Sequence, residues 1–91
     1  MSFDRTILSI SFFHTGSFYS LERDIYDVVK RYGNVLSIIH KTRKIKSKIL
    51  HEFDIEFKRS YSAKVAAENL RNRTLDSNPI RTKTCIMKIW N

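Results

Sequence analysis

The segment Lys48–Phe57, with the sequence KILHEFDIEF, decides the fold of this chain because its side chains alternate strictly at its C-terminal end. Three apolar residues fall on one side and three carboxylates fall on the other: Phe53, Ile55 and Phe57 against Glu52, Asp54 and Glu56. A two-residue period is typical of a β-strand with one buried face. The segment therefore predicts a strand whose acidic row lies opposite the core.

The composition indicates one compact domain spanning residues 1–91, which we expect to be a module of a longer protein. Of the 91 residues 42% are hydrophobic, and the chain contains 2 Gly and 1 Pro, which favours a packed globule over a disordered segment. The single cysteine, Cys85, excludes a disulfide framework and a cysteine-based metal site. No signal peptide or transmembrane run is visible, so we expect an intracellular location, nuclear or cytoplasmic.

Positive charge is concentrated in the second half of the chain. The formal net charge is +8, yet residues 1–39 hold four basic and four acidic side chains, and residues 40–91 hold thirteen basic and five acidic ones. This asymmetry indicates a polyanionic partner. We expect nucleic acid rather than a membrane, because no amphipathic helix presents a large apolar face.

The flanking segments alternate between strand and helix patterns. Residues 6–13 predict a strand, and Leu21, Ile25, Val28, Val29 and Tyr32 form a helical stripe that Gly33 ends. Residues 35–40 predict a second strand, and residues 41–47 a basic loop. After the central strand, Ser60 is a candidate cap for a helix reaching Leu70. Residues 71–82 contain a turn signal at 76–79, and residues 84–90 predict a fourth strand.

The order β-α-β-β-α-β predicts an α+β fold of the ferredoxin-like class. Two right-handed crossovers in this order give a four-stranded antiparallel sheet with strand order 4-1-3-2. Both helices then cover one face of the sheet and leave the other face open.

Several segments are similar to an RNA recognition motif, and the resemblance covers essentially the whole chain. Residues 24–35, DIYDVVKRYGNV, resemble the first helix of that family and its turn into the second strand. Ala63, Ala66 and Leu70 match the core of its second helix, and residues 87–90, MKIW, resemble its closing strand. The resemblance implies the same fold and implies single-stranded RNA as the partner.

The positions where this family presents aromatic side chains to bases carry other residues here. They fall on Glu52 and Asp54 in the third strand, and on Ser9 or Ser11 in the first. We therefore expect a non-canonical mode of RNA binding through a basic loop and aromatic residues at the sheet edge. The predicted RNA-binding residues are Lys41, Arg43, Lys44, Lys46, Lys48, Lys88, Trp90 and Phe13, with Lys88 and Trp90 expected on the open face beside Ile86.

An alternative is a protein-interaction or self-association surface on the same fold. Its candidate residues are Glu52, Asp54, Glu56, Ile39 and Ile86. No catalytic residue, cofactor or metal ligand is assigned, and we do not expect an enzyme. The three histidines lack the spacing of a nucleophile and its base, and two glycines are too few for a phosphate-binding loop.

Overall fold

A computed structural model describes residues 2–14, 21–71, 73–75 and 78–90, and the side chains of residues 6–13, 21–71, 73 and 80–84. These residues form the following elements in chain order: β1 (Ser2–His14), α1 (Leu21–Val29), a 3₁₀ turn (Lys30–Tyr32), β2 (Val35–Ile45), β3 (Lys48–Phe57), α2 (Ser60–Leu70), β4 (Thr74–Leu75), β5 (Asn78–Pro79) and β6 (Arg81–Trp90).

The main sheet has the strand order β2-β3-β1-β6, and every pair in it is antiparallel. With β6 as the fourth long strand, this is the predicted order 4-1-3-2, so the fold prediction is confirmed. The core lies between one face of β1 and β3 and the two helices, and its side chains are Leu8, Ile10, Phe12, Phe53, Ile55, Phe57, Leu21, Ile25, Val29, Ala63, Ala66, Ala67 and Leu70.

The helices differ from the predictions at their ends. The α-helix α1 stops at Val29, and the last turn tightens into the 3₁₀ turn, where the Gly33 N–H donates to the Lys30 carbonyl at 3.3 Å. Tight turns of this kind are common at helix ends. Ser60 was predicted to cap α2, but it is the first helical residue, and the preceding Arg59 makes no capping hydrogen bond through its side chain.

The predicted basic loop is wrong. Strand β2 continues to Ile45 and joins β3 through a turn formed by Lys46 and Ser47. Lys46 has φ 56°, the left-handed conformation that two-residue hairpin turns require. Charged side chains did not exclude a strand here because β2 lies at the sheet edge, where cations remain in water.

The fourth long strand begins earlier than predicted, at Arg81, and its pairing with β1 bears on the face predicted for Ile86, Lys88 and Trp90. Cys85 pairs with Ile7, whereas Ile86, Lys88 and Trp90 pair with Thr6, Asp4 and Ser2. Thr6 is buried with the even-numbered positions of β1, so this backbone pairing does not support the open face as the location of Ile86, Lys88 and Trp90. Both sets of alternating residues are largely apolar, so alternation could not identify the buried set. The side chains of residues 85–90 lie outside the described part.

Two smaller findings complete the fold. Of the predicted turn signal at 76–79, Asn78–Pro79 form β5, which pairs with β4 as a short two-stranded sheet. Residues 76 and 77 lie outside the described ranges. No helix in the described part of the chain is long and apolar enough to cross a membrane.

We expect Ile25→Ala and Phe57→Ala each to lower the free energy of unfolding by about 2–5 kcal/mol, because each leaves a cavity in a packed core. Urea denaturation measures the loss. Tyr61→Ala is the matched control, since that ring is 75% exposed on α2 and should change stability by less than about 0.5 kcal/mol. Equal midpoints for all three variants would contradict the buried face described here.

Gly33 is required by a close approach to α2. An added Cβ would collide with Oγ of Ser62 and lie 2.8 Å from its Cβ. We expect Gly33→Ala to destabilise the domain by about 1–3 kcal/mol through overpacking. In a Ser62→Gly background the cost should shrink, because both colliding atoms are gone. Strictly additive effects in this double-mutant cycle would show that the contact is not the cause.

Candidate nucleic-acid interface

The open face of the sheet carries charged and hydroxyl side chains in an ordered pattern. Cross-strand pairing places residues of four strands side by side, and this arrangement repeats in two adjacent rows: Ile39, Asp54, Ser9 and Lys83 in one, and Lys41, Glu52, Ser11 and Arg81 in the next. Glu52 therefore has a cation beside it on β2 and another beyond Ser11 on β6, whereas Asp54 has Ile39 beside it on β2 and Lys83 beyond Ser9. The acidic row lies on the open face as predicted.

A groove runs along β1 because Ser9 and Ser11 are short. It has a volume of about 490 Å³ and is lined by Ile7, Ser9, Ser11, Arg43, Leu50, Glu52, Asp54 and Lys83. Strands β3 and β6 stand two strand spacings apart, roughly 9.5 Å. The floor of the groove is formed by β1 and carries the hydroxyls of Ser9 and Ser11 beside Ile7. One wall carries Glu52 and Asp54 together with Leu50 and Arg43, and the other carries Lys83.

Salt bridges to β2 hold the acidic wall. The Lys41 ammonium donates to Oδ2 of Asp54 at 3.3 Å, and Nη2 of Arg43 lies 3.7 Å from Oε1 of Glu52. The carboxylates are about 30% exposed and the cations more than 60%. Such pairs contribute about 0–1 kcal/mol to stability, so their main effect is to reduce the local negative field.

The five cations predicted to share a loop separate onto different sides of the hairpin. Lys41 and Arg43 face the open side, and so does Lys48, whose Nζ lies 5.9 Å from the ring centroid of Phe13. Lys44 pairs with Ile49 on the helix-facing side, and Lys46 is in the turn. Alternation along a strand produces this division, so the five do not form one basic surface.

Phe13 lies where the sequence predicted, on the open face near the hairpin. It pairs with Leu50 and remains partly exposed, and the Lys48 ammonium lies over its ring. It is thus the aromatic side chain on the described part of this face that a base could stack against. Lys88 and Trp90 were also predicted to contact RNA, but their side chains lie outside the described part of the structure.

Two cations of the open face were missed in the sequence. Arg81 and Lys83 pair with Ser11 and Ser9, and both are exposed. Arg81 had been placed in the segment 71–82 before the predicted strand, and Lys83 in no element, although both alternate with Thr82 and Thr84 as strand residues do. Thr82 donates through Oγ1 to the Ala67 carbonyl at 3.1 Å, which fixes this end of β6 against α2.

His40 and His51 form a pair on the face opposite the groove. Nε2 of His40 lies 2.9 Å from Nδ1 of His51, and the His40 ring stacks on Phe53 with centroids 4.2 Å apart. His51 is fully buried and stacks on Phe12. His40 pairs with Phe53, so it lies on the side of the sheet away from the acidic row. The pair is part of the packing between the hairpin and the core.

Metal binding has no support in the residues that the structure describes. No three His, Cys, Asp or Glu side chains within those ranges are grouped as ligands of one ion would be. The carboxylates of the groove contact cationic side chains instead.

Solved RNA recognition motif domains share this fold. The third RNA recognition motif of Pes4 matches with a TM-score of 0.68 at 14% identity, over 89% of this chain and 90% of that one. The Rna15 domain solved with bound RNA (GU) gives 0.63 at 20% identity, over 87% and 80%. Sex-lethal RNA recognition domains 1 and 2 from Drosophila melanogaster give 0.67 at 12% identity, over 85% and 47%. No family model and no curated protein matches the sequence.

Proposed function

We propose that this domain binds single-stranded RNA on its open sheet face, with phosphates at the basic margins and base edges in the groove between them. The observation that carries the proposal is the groove itself, where serines separate a carboxylate wall from a cationic wall. The shared fold supports it, since the similar structures include RNA recognition domains and one with bound RNA.

Phosphate contacts provide most of the affinity in this mode. Among the described side chains, five cations border the face: Lys41, Arg43 and Lys48 on the hairpin, and Arg81 and Lys83 on β6. Phosphate neutralisation releases counterions, so binding weakens steeply as salt rises. Where no aromatic side chain stacks on a base, the binding free energy lacks the about 1–3 kcal/mol that such a contact contributes. We therefore expect dissociation constants in the micromolar range, which is the range of largely electrostatic binding.

Base contacts provide selectivity through hydrogen bonds. A carboxylate accepts from an exocyclic amino group, and Asp and Glu are suited to the N4 amino group of cytosine. The Lys83 ammonium and the hydroxyls of Ser9 and Ser11 can donate to base carbonyls across the same groove. Uracil presents a carbonyl where cytosine has its amino group, so the acidic wall repels it. Phe13 adds one stacking position at the end of the groove. RNA contacts by Lys88 and Trp90 stay predictions, and the backbone pairing of β6 does not support their placement on this face.

A second candidate is a protein-binding surface on the same face. The observation that favours it is Ile39, which is 55% exposed beside the Asp54–Lys41 pair, with Ile45 also exposed further along β2. Apolar residues next to fixed charges are common in protein interfaces. Glu52, Asp54 and Glu56 complete the candidate set on this face, whereas the pairing of Ile86 with the buried Thr6 does not support the open face for Ile86. Loss of self-association in Asp54→Phe would support this second candidate.

Removing two cations from the open-face side of the hairpin should weaken RNA binding more than removing two cations that lie away from that face. We expect Lys41→Ala with Arg43→Ala to weaken binding of a ten-nucleotide RNA by about tenfold or more, through lost phosphate contacts. Lys44→Ala with Lys46→Ala removes the same charge from the same hairpin and should weaken it by about threefold or less. Fluorescence anisotropy at 50 and 200 mM salt measures both affinities and their salt slopes.

Equal losses in the two double variants would contradict the open face as the binding surface and would indicate attraction by net charge alone. Thermal unfolding separates folding effects from binding effects. Each exposed salt bridge contributes about 1 kcal/mol at most, so all four substitutions should leave the domain folded.

A preference for cytosine over uracil should depend on the acidic wall. We expect the parent to bind oligocytidine more tightly than oligouridine by about tenfold, because one good base-edge contact contributes about 1–3 kcal/mol of discrimination. Glu52→Ala with Asp54→Ala should remove that preference and tighten oligouridine binding, since repulsion is relieved. The two homopolymers differ only at N3 and at the group on C4 of the ring and carry the same backbone, which makes them matched ligands.

Unchanged preference in this variant would place the bases away from the carboxylates. An equal gain in affinity for both RNAs would mean that the carboxylates repel RNA without distinguishing cytosine from uracil.

A further inference from the structure

A second groove lies on the outer side of the domain, between α1 and the edge strand β2. It is lined by Glu22, Arg23 and Tyr26 of the helix and by Val35, Leu36, Ser37 and Ile38 of the strand. Tyr26 is 44% exposed and Leu36 59% exposed, so two large apolar side chains border it in water. This groove takes no part in the RNA surface proposed above.

Leu36 faces the groove because the strand is irregular there. Val35 pairs with Phe57 and Ser37 pairs with Glu56, so Leu36 is the extra residue of a β-bulge. A bulge changes the direction of a side chain and frequently adjoins a functional surface. Glu22 and Arg23 are of opposite sign, so the groove itself carries no strong charge.

The outer edge of β2 can pair with another chain. Within the described residues, β2 is hydrogen-bonded to β3 alone, and its other edge carries the backbone groups of an eleven-residue strand. Edges of this length recruit extended peptides by β-strand addition, in which backbone hydrogen bonds provide affinity and side-chain pockets provide specificity.

The charge along β2 limits what can pair with it. Its first half, Leu36 to Ile39, contains no charged residue, whereas its second half carries Lys41, Arg43 and Lys44. Cations protect that half against pairing with another basic strand. A second copy of this chain, at +8, would be repelled as a whole. An acidic segment would be attracted to the second half and could place apolar residues on the first.

We propose that the α1–β2 groove and the adjoining edge bind an extended peptide of a partner protein, acidic at one end and apolar at the other. Antiparallel pairing is the commoner arrangement, so the acidic residues precede the apolar ones. About ten residues span the strand at 3.3 Å per residue. The peptide occupies the outer edge of β2 and the RNA occupies the open face, so the two ligands share the positive field of Lys41 and Arg43 but not a groove.

The test uses a labelled ten-residue peptide with three acidic residues in its first half and alternating leucine and valine in its second half. We expect saturable binding by fluorescence anisotropy, with amide shifts in NMR confined to α1 and β2. Leu36→Ser and Tyr26→Ala should each weaken it by about tenfold. Tyr61→Ala is the matched control, because it removes an exposed tyrosine from the other helix and should change affinity by less than about twofold.

A charge exchange tests the role of the second half. Lys44→Glu should lower the affinity for the acidic peptide and raise the affinity for a counterpart peptide in which lysines replace the acidic residues. Lys44 is suited to this test because it lies on the side away from the RNA groove. Binding of ten-nucleotide RNA should stay within about threefold of the parent in Leu36→Ser, Tyr26→Ala and Lys44→Glu. That result separates failure of this proposal from failure of the RNA proposal.

Three results would overturn the proposal. The first is no saturable binding at millimolar peptide. The second is displacement of the peptide by RNA together with insensitivity to Leu36→Ser, which would place it on the open face. The third is a parent dimer in sedimentation equilibrium that Leu36→Ser dissociates, which would make a second copy the occupant.

Discussion

Phe53 is fully buried at the centre of the sheet, and this position determines where the neighbouring side chains of β3 point. Successive side chains of a strand lie on opposite faces, so burying Phe53 and Ile55 requires Glu52 and Asp54 to face water. A shift of one residue would bury carboxylates at a cost of several kcal/mol each. Because β3 pairs on both sides, the same constraint sets the serines of β1 and the cations of β2 on the open face.

Sequence patterns predicted the elements whose two faces differ in polarity and failed where they do not. Strand β3 could be predicted with its bounds and its buried face because phenylalanine and isoleucine alternate with carboxylates. Strand β6 contains apolar residues in both alternating sets, so periodicity could not identify its register. The end of β2 was missed because its alternation is between charged and polar residues, and an edge strand tolerates such residues on either face. The candidate site followed these errors, since Arg81 and Lys83 were left outside the predicted fourth strand and Lys44 was assigned to the same surface as Lys41.

Placing the cations on a strand instead of a loop changes the energetics of binding. The hairpin pairs without interruption from His40 to Lys48, and the molecule extends to 45 Å along one axis against 25 and 22 Å along the others. Ordering a flexible loop on RNA costs about 0.5–1.5 kcal/mol for each immobilised side chain, in addition to backbone entropy. The backbone of β2 is already ordered by folding, so RNA binding does not carry that backbone entropy cost. Salt bridges to Glu52 and Asp54 also restrict Arg43 and Lys41 before any ligand arrives.

The carboxylates and the net charge of the protein act over different distances. Attraction between the +8 chain and a polyanion extends over a Debye length of about 8–10 Å, and it does not distinguish one RNA from another. In the proposed binding mode the carboxylates act at hydrogen-bond distance, where a carboxylate repels phosphates and base carbonyls and accepts from amino groups. Repulsion of unwanted groups is a general route to specificity, although it reduces affinity for every ligand that must approach. A face built in this way would bind RNA weakly and would contact the phosphate backbone at its margins. Its selectivity among bases would come both from repulsion of carbonyl groups and from hydrogen bonds that the carboxylates accept from amino groups.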